Sequence, residues 1–120
     1  MNTEQVAKRL VELCRQGKYD EAQDELYADD AVSIEMPGSR GLGDAKGMGQ
    51  IREKGRKFNE MVEAIHSNSW SDPVVAGNWF SASGELEATM KGRGRTTMRE
   101  ICVYHVRDGK IDREQFFYDM

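Results

Sequence analysis

The second half of the chain constrains the fold most. Between residues 60 and 120, strand-length runs are separated by strong turn formers: Asp72-Pro73, Gly92-Arg93-Gly94 and Asp108-Gly109. Proline presets φ and glycine supplies positive φ, so the chain reverses there at little cost. Four strands are expected, over about 61–72, 74–91, 95–106 and 110–119. Strands joined by such short turns pair antiparallel, as a meander.

The first half has a different period. Val6, Leu10 and Leu13 recur at helical spacing, with Ala7 and Cys14 beside them. A helix is predicted over 4–16, with Thr3 as N-cap and Gly17 as stop. A second helix begins near Tyr19 or Asp20 and buries Ala22, Leu26 and Tyr27, and the Gly17-Lys18 link makes a tight helical hairpin. Ala31 to Met36 alternates as a strand, with Val32, Ile34 and Met36 on one side and Ser33 and Glu35 on the other. A glycine-rich loop over 38–49 follows, expected to be mobile, then a helix from about 48 to 58 with Ile51, Gly55 and Phe58 inward.

The order α-α-β-α-β-β-β-β defines an α+β fold, with three helices on one face of a curved, mostly antiparallel sheet. Its 120 residues suit one domain, residues 1–120. A sheet wrapped around helices leaves a pocket suited to a small apolar ligand.

Composition narrows the function. A net charge of −4 disfavours nucleic acid, whose binding needs basic surface. No run approaches the ~18–20 apolar residues of a membrane span, and no secretory signal pattern is expected at the N-terminus. Cys14 and Cys102 lack metal-ligand spacing and read as reduced thiols of a cytoplasmic protein. His66 and His105 are too scattered for zinc, and Gly41-Leu42-Gly43 lacks the βαβ context of a dinucleotide fingerprint. Neither metal nor cofactor is expected. Lys91, Arg93 and Arg95 read as a solvated hairpin tip.

Turn chemistry sets which side chains share a face. A three-residue Gly92-Arg93-Gly94 loop places Lys91 opposite Arg95, Leu86 opposite Glu100, Gly84 opposite Cys102 and Ala82 opposite Tyr104, with Glu87 facing Arg99 on the other side. For the last hairpin, a turn with Gly109 as a bulge puts Glu114 opposite Cys102 and Phe116 opposite Glu100. A plain Asp108-Gly109 turn moves Glu114 to the other face. The bulged form, preferred here, gives an inner face of Glu100, Cys102, Tyr104, Asp112, Glu114, Phe116 and Tyr118. Carboxylates desolvated among apolar neighbours acquire raised pKa values and can move protons near neutrality. The alternative is that they only bond one another. His66, Trp70 and Trp79 are further candidates for core or pocket wall.

Three segments carry a family likeness. They are Tyr27-Ala28-Asp29-Asp30-Ala31-Val32 after the helical hairpin, Tyr104-His105-Val106-Arg107-Asp108-Gly109-Lys110-Ile111 across the last turn, and Arg113-Glu114-Gln115-Phe116-Phe117-Tyr118-Asp119. In these the chain resembles the SnoaL-like branch of the nuclear-transport-factor-2-like superfamily. The resemblance implies a cone-shaped α+β barrel with a pocket at its open end, and a homodimer through the outer sheet face, where Ile101 and Val103 are apolar. Catalytic relatives include steroid ketoisomerases, polyketide cyclases, limonene epoxide hydrolases and scytalone dehydratase. By likeness to the ketosteroid isomerase segment the general base falls on Glu35, turned inward, while the oxyanion-donor positions fall on Leu10 and near Cys102.

The reading is a cofactor-free isomerase, cyclase or lyase acting on a small hydrophobic molecule, with Glu35 as base, Glu100 or Glu114 as acid, and Tyr104 or Tyr118 orienting the substrate. His66, Trp79, Cys102 and Phe116 would line the pocket. The alternative is a non-catalytic binding or dimerisation module.

Overall fold

The computed structural model describes residues 1–38 and 43–119. Residues 39–42 of the glycine-rich stretch, Gly41 and Leu42 among them, lie outside the described residues. Helix α1 spans Thr3–Arg15 and α2 spans Tyr19–Leu26. The N-cap of α1 is Asn2 rather than Thr3. Its Oδ1 accepts from the Gln5 amide at 2.8 Å, and Gln5 Oε1 accepts from the Asn2 amide at 2.9 Å. This reciprocal box satisfies two amides that the first helical turn leaves open. Gly17, at φ +72°, lets the chain leave α1.

Strand β1 is Tyr27–Ile34, so it begins four residues before the expected Ala31 and takes in Ala28-Asp29-Asp30. A short β2, Ala45–Lys46, precedes α3, Met48–Met61. Strand β3 is Val62–Trp70. The expected 74–91 strand is two: β4, Val74–Ala76, and β5, Trp79–Met90, split by Gly77 at φ +59°. Strands β6, Gly94–Arg107, and β7, Lys110–Tyr118, complete one sheet of order β2-β1-β7-β6-β5-β3, with β4 also on β5. All its pairings are antiparallel except β1 with β7. Helices α1 and α3 cover this curved sheet, as the α+β expectation required.

The core is small. Val6, Leu10 and Leu13 of α1 meet Leu26, Ile51, Phe80 and Ile111, all nearly solvent-free. Each such side chain contributes about 1.5–3 kcal/mol on burial. Phe80 stacks on Tyr104 with centroids 4.7 Å apart.

Both hairpin registers differ from the expected pairings. Between β5 and β6 the three-residue loop is Lys91-Gly92-Arg93, because Met90 pairs with Gly94. Every pair moves by two: Gly84 faces Glu100, Ala82 faces Cys102 and Phe80 faces Tyr104. A shift of two preserves the faces, and the ion pairs become Glu85–Arg99 and Glu87–Arg95.

The last turn is the plain Asp108-Gly109 form, with φ +52° and +77° and Arg107 opposite Lys110. Glu114 nevertheless faces inward. An extra residue, Asp112, bulges from β7 where Val106 pairs with Ile111 and His105 with Arg113, and the bulge restores the face. Glu114 then pairs with Tyr104, Phe116 with Cys102 and Tyr118 with Glu100. Asp112 itself leaves the inner face, and its carboxylate accepts from His105 Nδ1 at 2.7 Å.

Candidate functional site

The inner face of β1, β6 and β7 gathers Glu35, Glu100 and Glu114 beneath α3. Strand alternation alone would send Glu35 outward with Ser33. Instead Ser33 is solvent-free and the Glu35 side chain is only 9% exposed, because their partners come from α3 and β7. The Lys54 ammonium donates to Ser33 Oγ at 2.9 Å and lies 3.3 Å from Glu35 Oε2. It also sits 5.1 Å from the Phe116 ring centroid, a cation–π contact. Lys54 was not singled out from the sequence. Its signal was position: it follows Ile51 by three residues, on the stripe that includes Gly55 and Phe58.

Glu114 is the deepest of the three carboxylates. Tyr27 donates its hydroxyl to Glu114 Oε1, and Ser33 donates to the same carboxylate. Burial still raises the Glu114 pKa above the ordinary range, against those donors. Burial likewise raises Glu35, opposed by Lys54 and by a hydrogen bond from Tyr118. Glu100 is pushed up to about 7, first by desolvation and then by the charges of Glu35 and Glu114, with a hydrogen bond from Cys102 opposing. The Cys102 Sγ donor stands 3.5 Å from Glu100 Oε1. Glu35 Oε2 accepts no hydrogen bond although it is buried.

Aromatic groups flank this cluster. Tyr118, Trp70 and Phe116 are partly exposed, and Tyr104 is buried. The Trp70 ring covers Gly84, where a Cβ would stand 2.9 Å from it. Trp70 Nε1 donates to Asn68 Oδ1 at 3.2 Å, and the Tyr19 hydroxyl donates to the same oxygen at 2.8 Å. Leu10, at one position where the likeness would put an oxyanion donor, is a core residue.

Two expected pocket residues do not join the cluster. His66 is exposed and bonds Thr89 Oγ1 through Nε2 at 2.7 Å, because a bulge in β3 between Ile65 and Ser67 turns it away. Trp79 is 45% exposed on the outer face, packed on His105 with centroids 4.7 Å apart, and Phe80 takes the inner place. Cys14 and Cys102 are unpaired and buried, and burial pushes the Cys14 thiol up to about 12. Among the described residues no group of acidic, histidine or cysteine side chains is arranged to hold a metal ion. Nor is any described helix long and apolar enough to cross a membrane.

An open groove of about 520 Å³ crosses the sheet at the level of Glu100 and Tyr118. Outward residues Ser83, Glu85, Arg99, Ile101 and Phe117 make up much of its lining.

The sequence profile of the SnoaL-like domain matches residues 1–118. The chain belongs to the SnoaL-like family. A Mesorhizobium loti protein assigned to the SnoaL-like polyketide cyclases, also labelled a carbohydrate phosphatase, is 33% identical at TM-score 0.91. The match covers 98% of this chain and 100% of that one. A nuclear-transport-factor-2-like protein of Burkholderia thailandensis shares the fold at TM-score 0.84 and 18% identity, over 99% of this chain and 92% of its own. TerC, crystallised with polyporic acid, does so at TM-score 0.76 and 17% identity, over 98% and 91%. No curated protein sequence matches the chain significantly.

Proposed function

We propose that this protein is a cofactor-independent enzyme of isomerase, cyclase or lyase type, moving a proton on a small hydrophobic molecule. One observation carries the reading. Three carboxylates and one ammonium meet on the inner face, where burial raises the pKa of each carboxyl, Glu100 to about 7. Lys54 and Tyr118 favour the ionised form of Glu35, the form a base needs. Glu100, pushed up to about 7, holds a proton it can give near neutrality. Glu35 would take a proton from carbon beside a carbonyl, Lys54 would balance charge developing on the oxygen, and Glu100 would return a proton elsewhere on the substrate. Tyr118 lies between the two carboxylates and would orient the ligand. Buried Tyr104 and Glu114 would support the site from below. The likeness to a protein assigned to the polyketide cyclases supports this class of chemistry.

The test is a turnover screen over cyclic and polyketide-like ketones, repeated with Glu35→Gln. A loss in kcat of about 10²–10⁴-fold is expected for removal of a general base. Unchanged turnover in the variant overturns the role of Glu35.

A second reading, a binding or dimerisation module, is favoured by the outer face. Ile101 is 53% exposed, Phe117 42% and Trp79 45%, an apolar surface a second copy would cover. A homodimer through this face is compatible with either reading. Light scattering of Ile101→Glu would then report a monomer where the parent is a dimer. The unpaired thiols fit a reducing, cytoplasmic compartment.

A further inference from the structure

The charges and rings around Glu100 are unequally matched. Glu100 pairs with Gly84 on one side and Tyr118 on the other, and the Trp70 indole lies over Gly84. The carboxylate therefore stands on its strand between an indole and a phenol. Directly opposed residues of neighbouring strands are about 4.5–5.5 Å apart, so both rings flank the same small volume. Its hydrogen-bond donor there is the Cys102 thiol, a weak one, at 3.5 Å.

The wider cluster repeats this imbalance. Among the described residues, three carboxylates face one ammonium, Lys54, which is already held by Ser33 and Glu35. Glu35 Oε2, on a side chain more than nine-tenths buried, accepts no hydrogen bond. The cluster is rich in acceptors and negative charge and short of donors and positive charge. An anionic ligand meets repulsion here, and a neutral one leaves the imbalance in place. A cation placed between two aromatic rings and a carboxylate is attracted by the carboxylate and by each ring whose face it meets.

From this arrangement we infer that Trp70, Glu100 and Tyr118 form a recognition site for an organic cation, a protonated amine carried on an apolar body. This rests on the small-molecule site proposed above and names a ligand class that occupies it; because the ammonium pairs with ionised Glu100, such a ligand competes with a substrate that needs the protonated form. The ammonium sits against Glu100, with its apolar body against Leu86 and Met98, which pair on the same face one step toward the hairpin tip and are half-buried.

Binding is linked to protons. The groups facing Glu100 are Glu35, Glu114, Lys54, Cys102, Tyr118, Cys14 from α1 and Tyr19 from α2. Glu100 titrates at about 7 in the free protein, so an ammonium that requires its ionised form binds more tightly as pH rises from 6 to 8. About tenfold is expected for one released proton over that interval.

The experiment is a chemical-shift titration of the ¹⁵N-labelled protein with benzylamine, benzyl alcohol and benzoate at pH 6 and pH 8. These probes share an aromatic body and differ in charge. The expected result is saturable binding of benzylamine in preference to the other two, with shifts centred on residues 68–70, 84–86, 98–102 and 116–118. That preference should grow with pH and vanish in Glu100→Gln, which leaves benzyl alcohol binding in place. Trp70→Leu should weaken benzylamine. If benzyl alcohol or benzoate binds here as well as benzylamine, the cation inference falls while the small-molecule site stands. If no probe shifts these residues, both fall. Shifts scattered over the acidic surface and insensitive to Glu100→Gln also overturn the inference.

Discussion

The Lys54 ammonium lies 3.3 Å from the Glu35 carboxylate, and the two side chains are only 13% and 9% exposed. A helix residue and a strand residue are thus joined across the inner face. Breaking such a pair leaves an unmatched charge in a poorly solvated place. Lys54→Met should therefore destabilise the protein by about 2–3 kcal/mol at pH 8. Without its ammonium, Glu35 keeps the upward push of burial and loses the main force opposing it. Its folded pKa then rises further above the unfolded one, and the stability present at low pH is lost as pH rises. Urea denaturation at pH 5 and pH 8 should show the smaller loss at pH 5. Equal losses would mean that Glu35 does not carry the cost.

Glu100 makes the parent protein pH-dependent in the same sense. Its folded pKa of about 7 lies above the 4.5 of an ordinary glutamate. Between those values the folded state holds a proton that the unfolded state has released, so stability falls as pH rises through this window and levels above it. The contribution is at most about 3 kcal/mol. Glu100→Gln cannot ionise, and its stability should decline less from pH 5 to pH 8. Calorimetric Tm values of parent and variant across that range check this. Parallel curves would show that Glu100 does not titrate there.

Much of the fold was legible because its signals are local. Glycine, proline and aspartate mark the turns, and a 3.6-residue period marks α1. The inner face of β5 and β6 was read correctly although the pairing was off by two, because strand parity survives an even shift. The site was less legible because its causes are non-local. Val32 and Ile34 advertise an apolar face, yet Ser33 and Glu35 turn inward toward Lys54 and Glu114, which lie elsewhere in the chain. Lys54 itself is one of several cations on α3, beside Arg52, Arg56 and Lys57, and only its spacing from Ile51 sets it apart. His66 and Trp79 were misplaced for a third reason: the β3 bulge has no strong signature in composition, and the expected 74–91 strand ran through Gly77-Asn78, which is a two-residue hairpin turn.

Gly84 holds its place through contact rather than backbone freedom. A Cβ there would stand 2.9 Å from the Trp70 ring, and the ring is tied by its Nε1 to Asn68. Gly84→Ala must push the indole away, at a cost of about 1–3 kcal/mol for overpacking. Near-ultraviolet circular dichroism should register the displaced indole. In a Trp70→Leu background the same substitution should cost less, since the smaller side chain can yield. Additive costs would mean that the glycine is needed for some reason other than the ring.

The inward aim of Glu114, Phe116 and Tyr118 is set by a one-residue bulge outside the site. The Asp108-Gly109 turn pairs Arg107 with Lys110, a register that by itself would send Glu114 outward. The bulge at Asp112 reverses that parity. The Asp112 side chain contributes the His105 contact at 2.7 Å and an ion pair with Arg107 at 3.7 Å, both on the outer side. Asp112→Ala should therefore cost only about 1 kcal/mol, the value of a partly exposed polar contact. Deleting Asp112 removes the extra residue itself. Ile111, Arg113 and Glu114 then follow one another opposite Val106, His105 and Tyr104 in a regular ladder, so Glu114 and Phe116 keep their inward aim. Chemical denaturation should show a cooperative transition near the parent's for both variants, since each loses only the outer contacts of Asp112. A deletion variant that no longer unfolds cooperatively would show that the bulge does more than set which residues face the site.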